Sequence, residues 1–138
     1  MLVSERPSRT ARGAATILVA EDHPDSRDAL QALLEAAGYT VVVARNGREA
    51  IEHARSRPPD LILMDIMMPE VDGFQATRTI RQEGGQLENV PIVAVTAMEG
   101  SRDLTEAAGC DDFVSKPIDV RPFLEKIRTW LDRREDAA

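Results

Sequence analysis

Short apolar runs alternate with amphipathic stretches along the chain from Thr16 onward. Four of the runs contain only apolar residues, which is typical of strands covered on both faces. Together with a shorter fifth run they predict strands over residues 17–20, 41–44, 61–64, 92–95 and 112–115. After each strand, apolar residues recur at helical spacing, as Leu30, Leu33 and Leu34 do. The pattern therefore predicts five strands, each followed by a helix.

This alternation is typical of parallel strands joined by right-handed crossovers, with helices on both faces of the sheet. We predict an α/β fold with a doubly wound five-stranded sheet in the flavodoxin-like order 2-1-3-4-5, the commonest form at this length. The 138 residues suit one domain, which we place over 16–134 with a short C-terminal tail over 135–138.

Residues 1–15 lack any periodicity and carry three arginines. We predict a disordered basic leader, with a basic docking arm as the alternative. The arginines are not followed by the apolar region of a secretory signal, and no apolar run is long enough to span a membrane.

The formal net charge of −7 argues against direct nucleic-acid binding and favours protein partners and bound cations. The single cysteine, Cys110, fits a reducing cytoplasm, which is the predicted location. We interpret Cys110 as a small packing residue at a helix-to-strand junction, with a redox sensor as the alternative.

Three carboxylates follow two strands that are neighbours in the predicted sheet. Glu21 and Asp22 come directly after strand 1, and Asp65 comes directly after strand 3. In the order 2-1-3-4-5 the winding direction reverses between these strands, and ligands bind beyond the carboxyl ends at that point. Clustered carboxylates repel one another, and a hard divalent cation such as Mg²⁺ relieves the conflict. The sequence therefore predicts a magnesium site at this edge.

Strands 4 and 5 end in residues that suit an anion. Thr96 brings a hydroxyl donor, and Lys116 brings a positive charge on a flexible stem. An anion site beside a metal site is what phosphoryl transfer requires, with a carboxylate as the attacking group. His23, next to the acidic pair, is interpreted as a rim residue, although a metal ligand is the alternative.

The segments LVAED, LILMDIMMPEVDGF, IVAVTA and FVSKP, in this order and spacing, resemble the receiver domains of two-component response regulators. The resemblance covers roughly residues 16–133 and is closest to the stand-alone regulators of the cell-division and chemotaxis types. It implies that Asp65 is the phosphoacceptor and that Thr96 and Lys116 act with it. Further implied roles are Phe113 as the switch aromatic and Glu21, Asp22 and the Met67 backbone carbonyl as metal ligands beside Asp65. Of the acidic pair, Asp22 is expected to bind Mg²⁺ directly and Glu21 through water. The Lys116-Pro117 bond is cis in the family.

The resemblance also implies a function. A histidine kinase or histidine phosphotransfer protein would donate the phosphoryl group with Mg²⁺. The signal would then pass to a downstream protein target through the face formed by helix 4, strand 5 and helix 5. The expected protein is cytoplasmic, a monomer or weak dimer, without nucleic-acid or membrane partners, and an autocatalytic phosphoacceptor rather than a turnover enzyme.

Two departures from the family pattern change these expectations. Met67 and Met98 stand two positions after Asp65 and Thr96, where polar side chains speed loss of the phosphoryl group in the family. Thioethers orient water poorly, so we predict slow self-dephosphorylation, the alternative being that the two methionines only cover the site. Thr96 and Lys116 are separated by 20 residues, about two fewer than usual, which shortens the loop 99–101 and helix 4.

Two other functions remain open at this point. A small aspartate-nucleophile phosphatase would use a similar acidic site, but such enzymes place a second acid two residues after the nucleophile, where this chain has Met67. A constitutive scaffold would keep the fold without phosphorylation, and it would have no physical need for three clustered acids and a lysine.

Overall fold

The computed structural model describes residues 14–68, 70–97 and 102–137. Its elements are β1 (Thr16–Ala20), α1 (Pro24–Ala36), β2 (Thr40–Ala44), α2 (Gly47–Ser56), β3 (Leu61–Asp65), α3 (Gly73–Glu83), a 3₁₀ turn (Gly85–Leu87), β4 (Ile92–Thr96), α4 (Arg102–Ala108), β5 (Asp112–Ser115) and α5 (Val120–Ala137). Residues 1–13 of the predicted leader (1–15), Met98 and the loop 99–101 lie outside the described residues. The last helix reaches Ala137 and so includes most of the segment predicted as a tail.

All five strands are parallel, and their order across the sheet is β2-β1-β3-β4-β5. The predicted doubly wound fold and strand order are therefore confirmed. The register aligns the strand ends, because Ala20 pairs with Met64 and Asp65 pairs with Val95. The polar residues that end strands 3 and 4 belong to the strands themselves, which holds their backbones in the hydrogen-bonded ladder.

Alternate residues of the central strands pack into two separate cores. Leu18 and Met64 face the core that α2 and α3 cover, where Ala54 and Ile80 are fully buried. The opposite core lies beneath α1 and α5. A strand buried on both faces explains why its sequence is continuously apolar rather than alternating.

Side-chain caps set where two helices begin. The Asn46 side chain accepts a hydrogen bond from the Glu49 amide at 2.8 Å at the start of α2, and Asp72 does the same for the Gln75 amide at the start of α3. Such caps satisfy backbone donors that have no partner within the helix. The α3 cap matters for the site, because α3 follows the loop that leaves Asp65.

Arg81 joins three segments near the other end of α3. Its guanidinium donates to the carbonyls of Gly109 and Val90 at 3.0 and 2.6 Å and to Asp111 Oδ2 at 2.7 Å. Asp111 Oδ2 also accepts from the Ile92 amide at 2.9 Å. These bonds attach the junction between α4 and β5 to α3 and to the start of β4.

Cys110 is buried at the junction between α4 and β5, with its Sγ 3.7 Å from Thr77 Oγ1. Burial raises the pKa of the Cys110 thiol, which keeps it protonated and unreactive. This position agrees with the interpretation of Cys110 as a packing residue. Among the helices that the structure describes, none is long and apolar enough to cross a membrane.

Candidate functional site

The three predicted carboxylates converge at the carboxyl edge of the sheet. One oxygen from each of Glu21, Asp22 and Asp65 lies within 4.8 Å of the other two. The segments that carry them are the ends of the adjacent strands β1 and β3, where the winding direction of the sheet reverses. The structure therefore brings together residues that are more than forty positions apart in the chain.

Lys116 contacts two of these carboxylates. Its Nζ donates to Glu21 Oε1 at 3.0 Å and to Asp65 Oδ2 at 3.4 Å. The two acceptors are almost fully buried, with exposures of 2% for Glu21 and 4% for Asp65. A buried ion pair of this kind needs close geometry to offset its desolvation, and the ammonium supplies it from the end of β5.

Backbone amides complete the hydrogen bonding of the buried pair. The Met67 amide donates to Asp65 Oδ1 at 3.0 Å, and the His23 amide donates to Glu21 Oε2 at 3.1 Å. His23 itself is exposed, which agrees with its interpretation as a residue at the rim of the site. Both carboxylates are thus oriented by the loops that follow them.

The two buried carboxyl groups have pKa values displaced in opposite directions. Burial and the proximity of Glu21 raise the pKa of Asp65 to about 7. Burial also opposes the ionisation of Glu21, but hydrogen bonds with Asp65, the His23 amide and Lys116 outweigh it and lower its pKa. Near neutral pH Asp65 is therefore partly protonated, whereas Glu21 is ionised.

Burial works against the charge of Lys116 as well, but its contacts with Glu21 and Asp65 raise the pKa of its ammonium. The lysine therefore stays protonated. Its positive charge partly neutralises the negative charge of the cluster.

This donor set suits Mg²⁺. The ion takes oxygen ligands, accepts one or two carboxylates and keeps several waters. A divalent cation would displace the Asp65 proton and offset the repulsion between Glu21, Asp22 and Asp65. The acidic cluster can therefore hold the ion, whereas the participation of the Met67 carbonyl remains a prediction.

Thr96 lies on β4, next to the strand of Asp65, and Phe113 lies on β5, one strand further along the sheet. Thr96 is 1% exposed at the end of β4, and its carbonyl accepts from the Lys116 amide at 2.9 Å. Phe113 pairs with Ala94, two positions below the strand end, and the Arg102 guanidinium lies 5.1 Å from its ring centroid. The Lys116-Pro117 peptide is cis, as the resemblance implied.

Sequence reasoning missed two residues that position the site. Arg27, in α1, donates from one guanidinium nitrogen to the carbonyls of Glu21 and Asp22 at 3.1 and 3.3 Å. Gly73, the first residue of α3, lies so close to β3 that a Cβ there would collide with the Asp65 carbonyl. The glycine was visible in the motif, but the approach that requires it exists only in the folded chain.

A groove of about 300 Å³ adjoins the carboxylates. Glu21 and Lys116 line it at the site, while Leu33, Ile118 and Val120 contribute apolar surface. It runs between α1 and the segment that joins β5 to α5.

Comparisons with known proteins identify the family of this chain. The family model described as the response regulator receiver domain matches residues 17–128. The polar-differentiation response regulator DivK of Brucella anthropi is 39% identical over 118 residues, covering 84% of this chain and 95% of that protein. The chain is also similar to a chemotaxis protein, CheY4 of Vibrio cholerae, at 27% identity and a TM-score of 0.79, covering 85% and 98% of the two chains.

Two similar structures contain magnesium. The receiver domain of the sensor histidine kinase PA1611 from Pseudomonas aeruginosa PAO1, with a magnesium ion coordinated in its active site cleft, has a TM-score of 0.81 and 33% identity, covering 87% of this chain and 99% of that one. The response regulator protein TrrA from Thermotoga maritima, in complex with Mg²⁺-BeF, has a TM-score of 0.76 and 32% identity, covering 84% and 98%. With its parallel sheet, its acidic cluster and a family match over most of its length, the chain belongs to the response regulator receiver domain family.

Proposed function

We propose that this protein is a single-domain response regulator whose Asp65 accepts a phosphoryl group from a histidine kinase or histidine phosphotransfer protein. The observation that carries the proposal is the contact of Lys116 with both Glu21 and Asp65 beside a three-carboxylate cluster. This arrangement supplies a nucleophile, a cation site and a positive charge at one edge of the sheet. A purely structural acidic cluster has no need for all three.

In the transfer step, a carboxylate oxygen of Asp65 attacks phosphorus in line with the bond to the donor imidazole nitrogen. The P–N bond breaks, its electron pair returns to the imidazole, and an acyl phosphate forms on Asp65. The nucleophile must be ionised, and its raised pKa of about 7 would leave it only partly ionised near neutral pH without a cation. Glu21, Asp22 and Asp65 would hold Mg²⁺, which would supply positive charge that favours the ionised form of Asp65 and offsets the charge of the phosphoryl group.

The chain's own residues hold the product. Lys116 can exchange its contact with Asp65 for a phosphoryl oxygen, because it already lies 3.4 Å from the attacked carboxylate. The Thr96 hydroxyl, at the end of the neighbouring strand, donates to a second phosphoryl oxygen. The resulting movement of Thr96 would let Phe113 turn inward and change the surface made by α4, β5 and α5.

The donor protein docks, in this proposal, on the groove between α1 and the β5–α5 segment. The groove shares Glu21 and Lys116 with the site. A protein that brings phosphohistidine to Asp65 would therefore also cover the adjoining end of the groove. Val120 at the groove and Met67 at the site are among the most exposed large apolar residues that the structure describes, at 48% and 62%. Exposed apolar residues around a polar site are typical of a protein interface.

The output is a changed affinity for a downstream protein. We further propose a cytoplasmic protein that is a monomer or weak dimer and has no nucleic-acid or membrane partner, in line with the net charge of −7. Met67 and Met98 would leave the attacking water poorly oriented, so the phosphorylated state persists. Met98 lies outside the described residues, so this part rests on Met67.

Intact mass after incubation with acetyl phosphate and Mg²⁺ tests the proposal. The wild type should gain one phosphoryl group, and D65N should gain none. D25N, which makes the same change at an exposed acid on α1, should be phosphorylated like the wild type. Phosphorylation of D65N, or its absence from the wild type, would contradict the proposal, and multiple-turnover hydrolysis of a phosphate ester would favour the phosphatase alternative.

A second readout uses Trp130, whose indole donates to Asp112 Oδ2 at 2.9 Å next to Phe113. Beryllofluoride, a phosphoryl mimic, should change Trp130 fluorescence only when Mg²⁺ is present. A constitutive scaffold would show no magnesium-dependent change.

A further inference from the structure

Three methionines lie within five residues around the phosphoacceptor, and their burial differs sharply. Met64 is 0% exposed and Met68 is 6% exposed, whereas Met67 between them is 62% exposed. Peroxides reach exposed thioethers first, so this segment presents one oxidisable sulfur to solvent and hides two. The two buried methionines are internal controls for its reactivity.

Met67 is attached directly beside the carboxylate of Asp65. Its amide nitrogen lies 3.0 Å from Asp65 Oδ1, and an N–Cα bond is about 1.5 Å, so its Cα lies within about 4.5 Å of that oxygen. The side chain that begins there is unbranched and has three rotatable bonds. It can therefore extend over the solvent side of Asp65, from which water must approach a phosphoryl group.

We propose that Met67 is a site of reversible oxidation and that its sulfoxide shortens the lifetime of the phosphorylated protein. This inference rests on the proposed function, since it concerns how the phosphoryl group on Asp65 is lost. The oxidant is a hydroperoxide. A sulfur lone pair attacks one peroxide oxygen, and the S–O bond forms as the O–O bond breaks. With hydrogen peroxide as the oxidant, the other oxygen leaves as water. Sulfur loses the two electrons that the peroxide gains.

The oxidised side chain differs from the thioether in the property that matters here. A thioether is a weak hydrogen-bond acceptor, whereas a sulfoxide is polar and carries a strongly accepting oxygen. That oxygen can accept a hydrogen bond from the attacking water and orient it toward phosphorus. The P–O bond to Asp65 then breaks, and the products are the Asp65 carboxylate and inorganic phosphate.

The first measurement maps oxidation. The protein is treated with limiting hydrogen peroxide in the presence of Mg²⁺ and then digested with a protease. Mass spectrometry of the peptides shows which methionines are oxidised. Met67 should be oxidised well before Met64 and Met68. Equal or earlier oxidation of either buried methionine would overturn the assignment of the site.

The second measurement compares lifetimes. Untreated and peroxide-treated proteins are phosphorylated with acetyl phosphate, the donor is removed, and loss of the phosphoryl group is followed by intact mass. Oxidation should shorten the half-life roughly fivefold, which corresponds to the net worth of one additional hydrogen bond. Methionine sulfoxide reductase should restore the original half-life, and the far-UV circular dichroism spectrum should not change.

The effect is assigned in an M98L background, because Met98 is also proposed to flank the attacking water. In this background M67L should abolish the response of the half-life to peroxide, whereas M68L should respond like M98L alone. The inference would be overturned if full oxidation of Met67 left the half-life unchanged, or if peroxide still shortened the half-life of M67L in this background. Either result would leave the proposed function intact. If the untreated protein gains no phosphoryl group, the proposed function fails and this inference fails with it.

Discussion

Lys116 Nζ lies nearer to Glu21 Oε1, at 3.0 Å, than to the proposed phosphoacceptor oxygen Asp65 Oδ2, at 3.4 Å. The lysine is thus held mainly by the acid that ends β1, in a position from which it can turn to an oxygen added on Asp65. The pair also links the ends of β1 and β5, which are not neighbours in the sheet.

Replacing Lys116 should slow phosphorylation without removing the cation site. K116A removes the charge closest to the developing phosphoryl oxygens, and the loss of one such donor typically costs a factor of about 100. The initial rate of phosphorylation by acetyl phosphate, read by intact mass, checks this. K126A removes an ammonium that contacts Asp112 instead, and it should retain the wild-type rate. A K116A rate within twofold of the wild type would contradict the proposed role.

The stability conferred by Mg²⁺ should depend on pH. The pKa of Asp65 is raised to about 7 in the folded state, so its protonated form stabilises the fold at low pH, and that stability is lost as pH rises from about 4 through about 7. Because a bound Mg²⁺ would replace this proton, the rise in melting temperature at a fixed Mg²⁺ concentration should be larger at pH 8 than at pH 5.5.

The variant D65N distinguishes the contribution of the Asp65 proton to stability from the contribution of the metal. Without Mg²⁺ it should be more stable than the wild type at pH 8, because a neutral amide removes the buried repulsion with Glu21, and about equally stable at pH 5. A wild type whose metal-free stability does not fall between pH 5 and pH 8 would contradict the raised pKa.

Gly73 should matter for both stability and metal binding. In G73A the new methyl group would collide with the Asp65 carbonyl and the Ile66 Cα, so the end of β3 must move. We expect a loss of about 2 kcal/mol in the free energy of unfolding, the usual cost of forced overpacking, and weaker Mg²⁺ binding.

The control for Gly73 is G38A, at a position with φ +102° and nothing within 4 Å of the added methyl group. It should cost about 1 kcal/mol through backbone strain alone and leave Mg²⁺ affinity unchanged. Calorimetric titration with Mg²⁺ distinguishes the two variants. Equal Mg²⁺ affinities in G73A and G38A would argue against the positioning role.

Arg81 should stabilise the fold without affecting the chemistry. R81A leaves the Gly109 and Val90 carbonyls and Asp111 without their shared donor, and we expect a loss of about 2 kcal/mol by urea unfolding. R78A, on the exposed side of the same helix, should change stability by less than about 0.5 kcal/mol. A milder effect of R81A than of R78A would show that the bonds contribute little.

The alternation of apolar runs and helical spacing determined the number, type and order of the elements, because these depend on local periodicity. It also placed Glu21, Asp22, Asp65, Thr96 and Lys116 at strand ends, since a parallel sheet collects all carboxyl ends at one edge. The candidate site was therefore largely predictable from the polar residues that follow or end the apolar strand segments.

Only the tertiary structure decided how these residues act on one another. The preference of Lys116 for Glu21, the raised pKa of Asp65 and the close approach of Gly73 depend on distances between segments far apart in the chain. The same is true of Met67, whose exposure between the buried residues Ile66 and Met68 depends on how the loop after β3 packs in the folded chain. Local pattern specifies which groups reach the edge, whereas burial and inter-strand packing set their charges, contacts and accessibility.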